Sequence, residues 1–338
     1  MKTAALDLTS RDFATEANFL VKDLQRVNLG IYWVDLLVSV VVGWGAFAGA
    51  LVLSLPLAAA AAAISAVALY RALCFIHEIS HQSRRTLPGF EPVWNLTTGF
   101  PLLLPSCMYV GVHSGHHRLS TYGTQSDPEY LPFARSIRMT AAFAIQSLLL
   151  PLALAVRFLL LGPISFFVPR FERWLVVHSS SLSMNVRYCR DAAPETLRMV
   201  RRQNVGILIF WVALVIAAPV KFFVLWYLIS AAISLTNSLR TLGAHAYASD
   251  GEPLGREEQL QDSIDTPAGR WGVLWAPVGL RFHALHHYFP GIPYHNLGKA
   301  YARLTTKLPS HAAIHHVRSG SLVQSLTALC RRGLRKTR

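Results

Sequence analysis

Charge is missing from long stretches of this chain. Residues 31–76 hold two charged side chains, Asp35 and Arg71, in 46 positions. A helix needs roughly 20 apolar residues to cross a bilayer, so this length predicts two spans joined by a tight turn. Ser54-Leu55-Pro56 supplies the turn, with spans near 31–53 and 57–76. Gly45 and Gly49 lie four apart in the first arm, and positions 58–63 of the second are all alanine. Lipid gives two helices no hydrophobic reason to associate, so close approach at small residues is expected to hold this hairpin together, with a homodimer contact at the glycine pair as the alternative. A second stretch, 205–239, has one charge, Lys221, two positions after Pro219. It predicts another hairpin, although the arm before Pro219 is short for a span. Residues 139–168 are too long for one comfortable span and too short for two, and Pro151, Arg157 and Gly162-Pro163 interrupt them. Helices lying in the membrane interface, with no crossing, are expected there.

Composition and charge agree with this pattern. The 338 residues are 52% hydrophobic and 15% charged, against about 25% charged in soluble domains. Lys and Arg number 32 against 18 Asp and Glu. Most of these basic residues flank apolar runs, which points to anionic lipid or an acidic carrier and away from nucleic acid. With the N-terminus cytoplasmic, the three cytoplasmic segments carry 4, 13 and 13 Lys and Arg. That bias predicts four crossings with both termini inside. Arg71 is expected to snorkel from the end of the second helix. The first 30 residues lack the apolar core of a signal peptide. Cys74, Cys107, Cys189 and Cys330 are scattered, with no spacing for a disulfide framework or an iron–sulfur site.

The predicted fold is an all-α integral membrane protein. Four transmembrane helices form two hairpins, with interfacial helices and a cytosolic cap. Its parts are a cytoplasmic segment 1–30, a membrane domain 31–310 and a basic C-terminal tail 311–338.

The candidate chemistry lies in the 14 histidines. HEISH places His77 and His81 at i, i+4 where the second helix leaves the membrane, and 3.6 residues per turn puts both on one face. HSGHH carries His113, His116 and His117, and HALHH carries His283, His286 and His287, each at i, i+3, i+4. His245 follows the last span. All nine fall on the cytoplasmic side of a topology derived without them. Neutral imidazole binds Fe, Cu, Zn and Ni, and nine are too many for one ion, so two metals with four or five imidazoles each are expected. HEISH alone also matches a zinc protease helix with Glu78 as general base, but that chemistry uses none of the other seven. A catalytically silent lipid-binding protein is a further alternative, which loss of a histidine from the pattern would favour; none is missing.

HxxxH, HxxHH, a lone histidine after the fourth helix and a final HxxHH together resemble the integral-membrane fatty acid desaturase superfamily. The resemblance runs from about residue 31 to about 310, and includes YGTQSDPEY after the second box and HHYFPGIPYHNLGKAYARL at the third. It implies four transmembrane helices beneath a cytosolic cap and a non-haem di-iron centre held by His77, His81, His113, His116, His117, His245, His283, His286 and His287. It does not assign each histidine to an iron. Ligand histidines usually give their second ring N–H to a carboxylate or carbonyl. Asp127 and Asp262 are favoured for that task, with Glu78, Glu129 and Asp265 behind them. His295 is a weaker candidate for the same surroundings. His178 and the group His311, His315, His316 are expected to lie outside the site.

The resemblance further implies O2 as co-substrate and a fatty acyl chain as substrate, in an apolar tunnel lined from the second and fourth spans and from 90–112. Electrons are expected from an external ferredoxin, rubredoxin or cytochrome with its reductase, since the chain carries no flavin, nicotinamide or iron–sulfur motif. The tail Arg331–Arg338 is basic enough to attract an acidic partner or to rest on lipid. A bacterial plasma membrane is the expected location. Desaturation is the expected reaction. Hydroxylation and oxidative decarboxylation to 1-alkenes use the same histidines.

Overall fold

The structure, a computed structural model, describes residues 15–269 and 271–336. Residues 1–14 of the expected N-terminal segment, with 270, 337 and 338, lie outside the described residues. Among the described residues the fold is all-α, and pairing outside helices amounts to three isolated bridges.

Helix α1 (Leu29–Val52) begins where the Asn28 side chain accepts a hydrogen bond from Ile31 N at 3.3 Å. Helix α2 (Leu55–His81) follows after one turn, with Pro56 in its first turn. Proline suits that position because the missing N–H would have no helical partner. The two helices pack as the expected hairpin. They approach closely at Gly43, where a Cβ would lie 2.6 Å from Leu69 Cδ2. Gly49 lies against Ala61, but Gly45 faces open space, so half of the glycine pair is unused. The two charges within the hairpin pair with each other. Arg71 Nε and Nη2 reach the two Asp35 oxygens at 2.6 and 2.5 Å, so Arg71 does not snorkel. A bidentate pair neutralises both groups inside an otherwise apolar stretch.

Short helix α3 (His113–His116) leads through a loop to α4 (Ile137–Ser165). Interfacial pieces were expected here, but α4 is a helix of 29 residues, long and apolar enough to cross a membrane. A 3-10 turn at Ser147–Leu149 and a π turn at Val156–Leu161 bend it without breaking it. Pro151 and Pro163 stand just beyond these turns, where altered hydrogen bonding tolerates a residue that cannot donate. Buried Arg157 fastens it, donating to Ser179 O (2.8 Å), Ser180 Oγ (2.7 Å) and Asn204 Oδ1 (3.1 Å).

Helix α5 (Pro169–Ser179) precedes two long helices joined by a short turn, α6 (Pro194–Ala217) and α7 (Val220–Gly243). The short first arm predicted from 205 is in fact 24 residues long. Pro194 and Glu195 start it, a proline and an acid suited to a helix N-terminus, and its first turns are too polar for a hydropathy reading to include. Among the described residues five helices, α1, α2, α4, α6 and α7, are therefore long and apolar enough to span, making this a multi-pass membrane protein. Beyond α7 come α8 (Arg256–Asp262), α9 (His283–Tyr288), α10 (Tyr294–Lys307) and α11 (Leu322–Lys336). Helix α11 lies on α7 and α4: Gly243 faces Leu322, and Gly333 faces the backbone of Ile137.

Candidate metal centre

Helix α2 continues past the apolar stretch to His81, so His77 and His81 project together from its last turns. His113 and His116 belong to α3, with His117 as its C-cap. All three histidines of α9 are buried, as is His245, whose segment is tied down by a bridge to Ser263 and by Ala246 N donating to Asp262 O at 2.6 Å. These segments, distant in sequence, meet at one end of the bundle. His77, His81, His113, His117 and His286 form one group, and His116, His245, His283 and His287 another. Within each, one ring nitrogen per residue lies within 4.8 Å of all the others.

Each HxxHH box thus divides its histidines. The i, i+4 pairs stay together, His113 with His117 and His283 with His287, while the i+3 histidine joins the other group. At about 100° per residue, i+4 points about 40° from i, whereas i+3 and i+4 diverge by about 100°. Two groups side by side are what a helical HxxHH produces.

Nε2 atoms face each other at 3.0 Å for His113 and His117, 3.0 Å for His81 and His286, 2.8 Å for His245 and His283, and 3.1 Å for His283 and His287. An ion about 2.1 Å from each nitrogen would set adjacent ligands about 3 Å apart. His77 Nε2 is buried without a protein partner. Buried polar atoms are rarely left so. The donor set therefore fits two imidazole-bound metal ions, in sites of five and four nitrogens.

A ring of oxygens holds several of these imidazoles. His116 Nδ1 faces both Asp127 oxygens at 2.9 and 3.0 Å. Asp127 also accepts from Gly123 N at 3.0 Å and Glu129 N at 2.8 Å. His113 Nδ1 meets Glu129 Oε1 at 2.7 Å and the Tyr109 hydroxyl at 2.8 Å. His245 Nδ1 meets the Tyr122 hydroxyl at 2.8 Å, and that hydroxyl donates to Asp262 at 3.0 Å. Asp262 thus acts through Tyr122, standing 3.8 Å from the ring itself. Asp265 accepts from Ala284 N at 2.8 Å and Leu285 N at 3.2 Å, fixing the start of α9. Glu78 is turned elsewhere, accepting from the Tyr32 hydroxyl and from Tyr294 N at 3.2 Å, so it is not poised as a protease base.

Burial first, then neighbouring imidazoles, pushes His113, His117, His245, His283, His286 and His287 well below the usual imidazole range, leaving them neutral and ready to ligate. Burial also opposes charge on His116, but Asp127 beside it outweighs this and raises its pKa. Burial pushes Glu129 and Asp265 up to about 7.

The other histidines stand apart. His295 Nε2 accepts from Asn28 N at 3.1 Å at the start of α1, and serves the helix start, not the metal groups. His178 neighbours Trp174 and Cys189, and His315 approaches Leu308 O at 3.4 Å. Neither His311 nor His316 joins either group. Sequence reasoning missed Tyr109 and Tyr122. Tyr109 stands four residues before His113, a spacing that offered a signal, whereas Tyr122 reaches His245 across 123 positions and offered none.

A cavity of about 470 Å³ adjoins the five-histidine group, with His77, Tyr109 and Glu129 in its wall. Leu73, Ile76, Leu104, Met108 and Leu154 make it largely apolar. Helices α2 and α7 and the 104–109 segment line it as expected, and α4 supplies a further wall that was not.

The sequence matches the family described as "Fatty acid desaturase" over residues 53–319. It is also 40% identical over 326 residues to a ceramide hydroxylase of Caulobacter vibrioides, covering 94% of this chain and 93% of that protein.

Proposed function

The chain belongs to the fatty acid desaturase family, and on that premise we propose that it hydroxylates the acyl chain of an N-acylated, ceramide-like membrane lipid. One atom of O2 enters the new C–OH group. The other leaves as water, with two electrons from an external donor and two protons. Support for the lipid class is the similarity to a ceramide hydroxylase along nearly the whole chain. The observation that carries the reaction is the shared wall, where His77 of one histidine group is also part of an apolar, lipid-sized cavity.

His77, His81, His113, His117 and His286 would hold one iron ion, and His116, His245, His283 and His287 the second. Iron there supplies the O2 activation that no side chain in the cavity provides. The protein's part is positional. Asp127, Glu129 and Tyr122 orient imidazoles through their Nδ1 atoms, so that the Nε2 lone pairs converge. The apolar walls align the chain and exclude water.

In this proposal the protein crosses the bilayer four times, and α4 dips in and returns. In support, the middle of α4 reaches Tyr227, whose hydroxyl donates to Leu148 O at 3.3 Å. Its start lies beside Gly333, and just past its end Phe166 O accepts from Arg201 in the first turns of α6. Both termini would then be cytoplasmic, in a bacterial plasma membrane, with the basic cap and α11 facing a ferredoxin, rubredoxin or cytochrome. Desaturation, expected from the sequence, engages the same residues and differs in product.

The test is lipid profiling of ceramide-producing cells that express this chain with a redox partner. Ceramide heavier by one oxygen, absent from a His286→Ala control, is the expected result. A new double bond in its place overturns hydroxylation, and an unchanged profile overturns the substrate class.

A further inference from the structure

Facing its apolar walls, the cavity has a polar one. Ser234, Asn237, Ser238 and Thr241 of α7 line it, at the i, i+3, i+4, i+7 positions of one helical stripe. Arg240 lines it as well. Its Nη2 donates to Asn237 Oδ1 at 2.9 Å, and its Nε is buried without a partner. The groups nearest the guanidinium are Tyr70, Cys74 and Tyr109, and the Glu129 carboxylate is close enough to interact with its charge without pairing with it. Glu129, the acid that shares this wall, is engaged by His113. Ser181 Oγ, in the wall of the same cavity, is also buried without a partner.

A guanidinium has five N–H donors and no acceptor. Placing one in the wall of a largely apolar cavity, in the last turn of α7 and with no ion pair to a carboxylate, is costly, and such residues mark substrate paths. An oxygen acceptor carried in by the ligand would offset that cost. The neighbours narrow the ligand further. Asn237 and the serine and threonine hydroxyls both donate and accept, whereas a carboxylate can only accept, so a free fatty acid would leave their acceptors idle. A secondary amide flanked by hydroxyls uses both functions.

We infer that Arg240 is a positioning residue for the lipid's amide. Its guanidinium takes the amide carbonyl oxygen, and the α7 stripe with Ser181 takes the N–H and hydroxyl groups. The carbons near the carbonyl are thereby presented to the histidine group that includes His77. This inference rests on the proposed function for its lipid class and adds where the head group sits and what selects the carbon attacked.

The experiment uses full-length, iron-loaded protein in phosphatidylcholine nanodiscs. Binding of N-palmitoyl sphinganine and of palmitic acid is titrated without an electron donor, and hydroxyl positions are then mapped by fragmentation mass spectrometry with the donor added. Arg240→Gln is expected to weaken binding of the amide about 10–100-fold, as for loss of a charge-assisted hydrogen bond. It should also scatter the hydroxyl over several carbons where the wild type uses one. Arg240→Lys keeps the charge but not the planar fork, so it should retain binding to within about tenfold yet shift the hydroxyl position. If Arg240→Gln fails to fold, that shift alone decides, and an unchanged position overturns the inference. Unchanged amide binding by Arg240→Gln overturns it too. Tighter wild-type binding of palmitic acid than of the amide would make Arg240 a carboxylate site, again overturning it. Binding needs no turnover, so Arg240-dependent amide binding without hydroxylated product refutes the proposed function and leaves the head-group site standing.

Discussion

Replacing Asp127 with asparagine probes the four-histidine group with little change of shape. Asp127 is fully buried and accepts from Gly123 N, Glu129 N and His116 Nδ1, the last through both oxygens. Asparagine has one acceptor oxygen, so its NH2 must point at a donor. At least one charge-assisted hydrogen bond is lost, which costs about 1.5–3 kcal/mol of folding stability. His116 meanwhile loses the anion that fixes its tautomer. Removing such a partner typically lowers metal affinity about 10–100-fold, or about 1.4–2.8 kcal/mol. Because Asp127 touches His116 and no histidine of the larger group, the loss should fall on one site. The assay is anaerobic dialysis against graded chelator-buffered Fe(II), with iron per chain read by mass spectrometry and a thermal melt run in parallel. As free iron falls, Asp127→Asn should shed the four-histidine iron first and show a plateau near one iron per chain. A curve superimposable on wild type, or parallel loss of both ions, would refute the reasoning.

Tyr122→Phe removes the hydroxyl joining His245 to Asp262, so the same titration should show the four-histidine group weakened about tenfold; equal weakening of both groups would contradict it. Gly43→Leu drives a side chain into Leu69 and should destabilise the α1–α2 hairpin by at least about 1–3 kcal/mol, whereas Gly45→Leu points into open space. Detergent melts of the two variants that are indistinguishable would rule this out. Chelated protein should lose stability on acidification. The six histidines whose pKa is lowered bind protons on unfolding, so the stability they contribute is present above roughly pH 6.5 and lost as pH falls. The raised His116 and the raised carboxyls of Glu129, Asp262 and Asp265 act in the opposite sense but are outnumbered. A melting temperature that rises between about pH 7.5 and about pH 5.5 would reverse that sign.

The apolar stretches and the clustered histidines were legible because both follow helical periodicity within a few residues. Asp127 was legible as well, lying 11 positions from its partner His116. Glu129 ranked too low, since nothing in a sequence tells which of two acids two residues apart will face a ring. The division of each HxxHH box between two groups was implicit in the helical angle, but which groups would meet depended on packing among distant segments. Asp265 acts on backbone N–H groups 19 and 20 positions away, contacts without a side-chain signature. The continuity of α4 and the start of α6 were not legible, for a shared reason. Hydropathy sees neither a proline absorbed by a π turn nor a polar helical turn that continues an apolar one.

The histidines of α9 enter both groups, His286 in one and His283 with His287 in the other. During synthesis, therefore, neither pocket is complete until the chain has been made past residue 287 and α9 has docked against the ends of α2 and α7. Earlier ribosome-bound intermediates present at most four histidines of one group and two of the other. With iron as the proposed occupant, metal capture would be deferred until the membrane helices had been translated, sparing the nascent chain a redox-active ion with no cavity to contain its chemistry.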